Sequence, residues 1–136
     1  MKVSQLLAAA ALAAALPTAL AHAQTVKVGF INTYSGPQAA IGDQMDRGMR
    51  LYMNEFEKNL PAGIKIEIIK RDDTGPNPEV AKRIAQELIT RDRVDILAGV
   101  IWTPNAAAIA PLATEAKKPF IVMNAGTAAV STMSPY

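Results

Sequence analysis

Apolar residues fall along the chain in blocks that switch between two spacings. Val26, Val28, Phe30 and Ile31 predict a first strand over 26–32, closed by the turn residues Thr33-Tyr34-Ser35-Gly36-Pro37. From about 39 to 58, Ile41, Met45, Met49, Tyr52 and Phe56 recur at steps of four and three, one face of an amphipathic helix. Gly48 lies near that face and is expected to let the helix sit close to a sheet. Asn59-Leu60-Pro61-Ala62-Gly63 ends the helix. Ile64, Ile66 and Ile68 then alternate with Lys65, Glu67 and Ile69, the spacing of a half-exposed edge strand. The loop 72–78 supplies Asn77 as N-cap and Pro78 as first helical residue. Val80, Ala81, Ile84, Ala85 and Leu88 line one face of the helix that follows, to about 90. Arg91-Asp92-Arg93 leads into 94–100, apolar apart from Asp95, which reads as a buried parallel strand. Thr103 as N-cap and Pro104 as first residue open a third helix to about 116, with Pro111 inside it expected to cause a kink. Lys117 and Lys118 suit the negative end of that helix. A fourth strand occupies 119–124, and the chain is expected to leave it through Ala125-Gly126-Thr127 with no further helix before Tyr136.

Strands alternating with helices predict an α/β fold, a parallel sheet with right-handed crossovers and helices on both faces. The edge character of the second strand favours the order 2-1-3-4. Ligands of such sheets bind at the carboxyl ends of strands, beside the point where the order reverses. The loops expected there are 32–40, 101–105 and 124–128. At the second of them a helix tip aims free N–H groups and the positive end of a dipole at one point, a site for a carboxylate or phosphate, unless Thr103 merely caps its own helix. No Gly-x-Gly-x-x-Gly and no phosphate-cradling Gly-Lys-Thr is present, so a nucleotide is not indicated.

Composition narrows the chemistry. Met1-Lys2, an apolar run over 6–16, Pro17 and Ala21-His22-Ala23 describe a secretory signal peptide over 1–23, cleaved after Ala23. Even the longest apolar reading, 6–21, is short for a membrane span and is broken by Pro17 and Thr18, so the processed chain is expected to be exported without membrane insertion. The remainder, 24–136, is the size of one small domain. Net charge is +2, falling to +1 without Lys2, and no basic patch points to nucleic acid. The chain has no cysteine, and its one histidine is His22. Residues 24–136 therefore cannot supply a Ser-His-Asp triad, a Cys nucleophile or a zinc site built on Cys or His. No cofactor or metal is implied. Asp72-Asp73 at a strand end leaves open a secreted flavodoxin-like enzyme or a magnesium site, against the simpler reading that the pair caps its loop.

Val26-Lys27-Val28-Gly29-Phe30, then Ser35-Gly36-Pro37, Gly42-Asp43-Gln44, Asp72-Asp73, Gly99, Pro111 and Pro119, in that order, resemble the start of a periplasmic substrate-binding protein of the leucine/isoleucine/valine-binding family of ABC importers. The resemblance implies a Rossmann-like first lobe of a type I periplasmic binding protein. A hinge and second lobe would lie beyond 24–136, and the partners would be a small carboxylate and the importer's membrane subunits. It places the ligand carboxylate on Thr103, an amino group on the Ala125 carbonyl, and the hydroxyl and N–H of Thr127 on the carboxylate. Ile41 stands where these binders carry an aromatic wall, and Trp102 stands where they carry something smaller. Family members similar around Ala110-Pro111-Leu112-Ala113-Thr114 and Ser134-Pro135-Tyr136 bind aromatic carboxylates, on whose ring Trp102 would stack unless it shields the core. A ligand-sensing domain of a receptor is the remaining alternative.

Overall fold

The computed structural model describes residues 24–133, so the expected leader over 1–23 and Ser134-Pro135-Tyr136 lie outside the described residues. Four parallel strands, β1 (Gln24–Asn32), β2 (Ile64–Asp72), β3 (Ile96–Gly99) and β4 (Phe120–Val122), form one sheet in the order β2-β1-β3-β4. The helices are α1 (Ala39–Phe56), α2 (Pro78–Thr90), α3 (Thr103–Glu115) and α4 (Ala128–Met133). A short 3₁₀ turn (Glu57–Asn59) follows α1. Among the described residues no helix is long and apolar enough to cross a membrane.

The order follows from handedness. β1 to β2 runs one way across the sheet, whereas β2 to β3 and β3 to β4 run the other way. Right-handed crossovers therefore put α1 on one face and α2 with α3 on the opposite face. Ile31, Leu97, Leu88, Ala85, Ile109 and Ala113 form the buried core on the α2/α3 face. Gly29 belongs to the same face, since a Cβ there would meet Leu88 at 3.0 Å. Asn32 and Lys70, on the other face, reach α1 at Gly42 and Asp46.

Local chemistry explains most boundaries. The Asn77 side chain accepts from Val80 N at 3.2 Å, and Pro78 occupies the first turn of α2. Helix α3 is closed by a left-handed residue. Lys117 turns left-handed (φ 53°), Lys117 N donates to Thr114 O, and Lys118 N donates to Ala113 O, which satisfies two of the last carbonyls. Pro111 lies inside α3 on its exposed side. The third strand is shorter than the apolar run 94–100 suggests, since it begins only at Ile96 and ends at Gly99 (φ 106°), before the left-handed Val100 (φ 66°). The run is nonetheless buried at Val94, Leu97, Ala98 and Val100.

Three expectations are corrected. A fourth helix does follow β4, since the Thr127 hydroxyl accepts from Ala129 N at 3.3 Å and starts α4. Gly48 is exposed and a Cβ there would meet nothing, so it does not bring α1 close to the sheet. Gly42 does, because a Cβ there would stand 1.9 Å from the Thr33 carbonyl oxygen. The buried line of α1 is accordingly Gly42 and Asp46. Ile41, Met45 and Met49 are half-buried, and Tyr52 and Phe56 stack on each other at the surface with ring centroids 4.5 Å apart.

Candidate functional site

The carboxyl ends of β1, β2 and β3 converge on one buried hydrogen-bonded cluster. The Asp73 carboxylate is fully buried. It accepts from the Thr33 hydroxyl at 2.6 Å, from Gly75 N at 3.2 Å and from Asn105 Nδ2 at 2.8 Å. Asn105 Nδ2 also donates to Gly75 O at 2.9 Å. The Trp102 indole Nε1 donates to the Thr33 hydroxyl at 3.0 Å. Beside the cluster, Asn32 accepts from Thr33 N and donates to Gly42 O, which fixes the end of β1 against α1.

Above the cluster lies a cleft of about 290 Å³ lined by Thr33, Ser35, Pro37, Gln38, Thr74, Gly75, Pro76 and Trp102. It has the position expected of a ligand site in a parallel sheet, at the reversal between β1 and β3. A hollow of similar size, about 300 Å³, lies between the carboxyl-terminal halves of α2 and α3. That hollow, lined by Gln86, Ile89, Thr90, Leu112, Glu115 and Ala116, is away from the strand ends and has no convergent set of donors.

The neighbouring carboxylates are structural. Burial opposes ionisation of Asp72, but the N–H of Tyr34, the Ser35 hydroxyl and the N–H of Thr74 outweigh it and hold its carboxyl below the ordinary aspartate range. Asp72 and Asp73 thus cap the loop after β2, the simpler of the sequence readings, through the N–H groups of Thr74 and Gly75. Among the described residues no group of three His, Cys, Asp or Glu could hold a metal ion. On α1, burial again opposes ionisation of Asp46, but hydrogen bonds from Lys70 and Arg50 hold its pKa down. Burial first, and then the nearby Asp46, push the Tyr34 hydroxyl well above the usual tyrosine range.

The sequence-expected site residues separate into two groups. Trp102 lines the cleft, half-buried. Thr103 is next to it at the tip of α3, exposed, but it is not the N-cap. Trp102 holds that position in extended geometry (φ −97°, ψ 127°), its carbonyl accepts from Ala106 N at 3.0 Å, and Pro104 falls in the first turn after Thr103. Of the first N–H groups of the helix, that of Thr103 belongs to an exposed residue, Pro104 has none, and Asn105 is fully buried. Ile41, Ala125 and Thr127 do not line the cleft. Ala125 N donates to Val100 O, and Thr127 N donates to Ala125 O. The loop after β2, although β1 lies between β2 and β3 in the sheet, reaches Asn105, because the β2-to-β3 crossover must pass over the end of β1. Thr33 and Asn105 were not expected as site residues. The available signals were a hydroxyl directly after β1 and an amide in the first turn of α3.

The sequence profile of the Periplasmic binding protein family matches residues 25–136. A Leu/Ile/Val-binding protein homolog 6 from Brucella abortus (strain 2308) is 38% identical over 121 residues, covering 89% of this chain and 31% of the Brucella protein. A Rhodopseudomonas palustris ABC-transporter solute binding protein in complex with 4-hydroxybenzoate is 43% identical with a TM-score of 0.78, over 83% of this chain and 30% of that one. A solute binding protein from R. palustris BisB5 in complex with 3,4-dihydroxybenzoic acid is 48% identical with a TM-score of 0.77, over 82% and 30%. The chain thus spans about a third of the length of these relatives. With a family match across the whole sheet and its loops, the chain belongs to the periplasmic binding protein family.

Proposed function

We propose that the chain supplies one wall of a periplasmic solute receptor that delivers a small carboxylate to the membrane subunits of an ABC importer, and that the carboxylate is an aromatic acid. Residues 1–23 act as its export leader, and 24–136 belong to the first of two lobes that close on the ligand. The observation that carries this reading is Trp102, held in the cleft at the strand ends by its bond to Thr33. A ligand ring stacks on the indole, and its carboxylate takes the hydroxyl and N–H of Thr103 at the α3 tip. Ile41, Ala125 and Thr127, which do not line the cleft, are given no ligand contact in this reading. Its support is the cleft itself, together with the aromatic acids bound by two structures more than 40% identical to this chain. No chemical step is assigned: the molecule binds and releases.

The name of the Brucella relative favours a second ligand class, the branched-chain amino acids. Ligand-observed NMR titrations of the chain and of Trp102→Ala, with 4-hydroxybenzoate and with leucine, separate the two. Stacking contributes about 0.5–1.5 kcal/mol beyond area burial, so Trp102→Ala is expected to weaken 4-hydroxybenzoate well beyond leucine. Thr103→Val is expected to weaken either carboxylate by roughly 1–3 kcal/mol. Equal losses for both ligands in Trp102→Ala return the indole to a packing role and remove the case for an aromatic acid.

A further inference from the structure

Every group aimed at the Asp73 carboxylate is a donor: the Thr33 hydroxyl, the Gly75 N–H and the Asn105 amide nitrogen. An ionised carboxylate only accepts, so it satisfies all three, whereas an amide in its place would set a donor against a donor. The direction of the chain of hydrogen bonds follows. Thr33 has one hydroxyl hydrogen, and Asp73 takes it. The Thr33 lone pairs are then free to accept, and the indole, which only donates, supplies the hydrogen from Trp102 Nε1 at 3.0 Å. Asn32, Thr33, Asp73 and Asn105 are all buried, so water cannot readily replace these bonds.

We propose that Asp73 is a positioning residue for the cleft. Through the Thr33 hydroxyl it fixes the orientation of the Trp102 ring. Through Gly75 and Asn105 it ties the loop after β2 to the first turn of α3. Two walls of the cleft, on loops 74–76 and at Trp102, are thereby held in register by a carboxylate that lies beneath the ligand site. The consequence for selectivity rests on the function proposed above. The orientation of Trp102 does not, and it can be read without ligand.

Trp102 is the one tryptophan of the chain, so the chain gives one indole N–H resonance and one emission band. In Thr33→Val and in Asp73→Ala, which removes the acceptor of the Thr33 hydroxyl, solvent exchange of the indole N–H should accelerate by about two- to tenfold, the scale of one net hydrogen bond. Acrylamide quenching should rise with it, and Thr33→Ser, which keeps the hydroxyl, should restore both. A lower unfolding midpoint with the indole signals unmoved overturns the proposal, because a purely structural Asp73 predicts that result. If Asp73→Ala fails to fold, the Thr33→Val and Thr33→Ser pair decides alone: an indole that ignores the loss of the Thr33 hydroxyl refutes the proposed link. In the ligand arm, Thr33→Val should weaken 4-hydroxybenzoate about tenfold and leucine less than about twofold. Equal weakening overturns the selectivity claim. Indole changes as expected, with neither ligand binding the unmutated chain, support the positioning role and count against the proposed ligand.

Discussion

The two faces of the sheet carry the same apolar alternation and meet different fates. In register across the strands, Ile69, Gly29, Leu97 and Phe120 lie in one row facing α2 and α3. The next row, Lys70, Phe30, Ala98 and Ile121, faces α1. Leu97 in the first row is fully buried, and Phe120 packs against the core beside it. In the second row Phe30 is covered, but Ile121 is 55% exposed, and Met123 beyond it is 48% exposed. Among the described residues, one face is closed by α2 and α3 packed on each other, with Val130 of α4 joining their core. The other has a single helix, anchored by a glycine contact and the ion pairs of Asp46, and it is bare toward β4. Period alone therefore says which way a residue points, while cover depends on which crossover passes overhead.

The largest expected contrast compares the rows directly. Leu97→Ala should cost about 2–5 kcal/mol in urea unfolding, the range for truncating a packed aliphatic core residue. Ile121→Ala should stay within about 0.5 kcal/mol, as surface changes do. Comparable losses at both positions would show that the β4 end of the α1 face is covered after all.

The second contrast is within α1. Gly48→Ala should stabilise by about 0.5–1 kcal/mol, because an exposed helical glycine gains from a Cβ that meets nothing. Gly42→Ala should destabilise by about 1–3 kcal/mol, since the added Cβ must push α1 off the end of β1. The sign difference, measured by thermal unfolding, tests which glycine brings helix and sheet together.

The smallest effect is electrostatic. Asp46 and Asp72 have pKa values lowered from 3.8 on folding, so each contributes stability that is complete above that value and is lost as pH falls through the lowered one. Asp46→Asn should flatten part of the acid limb of a urea-midpoint profile below about pH 4 while lowering the plateau at neutral pH. The plateau change should be modest, because Arg50 and Lys70 reach solvent at 66% and 42% exposure. An unaltered acid limb contradicts the assignment of Asp46.

Much of this was legible in the sequence. The periods of two and about 3.6, the Asn77-Pro78 start and the edge character of β2 were enough for the element order through β4 and the order β2-β1-β3-β4. Three errors share a cause, which is that short-range chemistry does not reveal what arrives from a distant strand. Thr103-Pro104 looks like a cap and a first turn, but the helix begins one residue earlier because Trp102 is already tied to Thr33 in extended geometry. Gly48 looks central on the helix face, but the end of β1 meets Gly42. Thr127 looks like a residue leaving the last strand, but it caps α4. The Thr33–Asp73–Asn105 cluster was invisible for the same reason, its members lying on three separate segments.

The most direct test of the account is a map of amide and indole shifts in the chain titrated with 4-hydroxybenzoate. A single wall of the site is expected to bind at about millimolar, roughly 4 kcal/mol. The shifts should saturate together at Thr33, Ser35, Thr74, Gly75, Trp102 and Thr103. Shifts confined to Gln86, Ile89, Leu112 and Glu115 between α2 and α3, or no saturable shift at the strand ends, would contradict it.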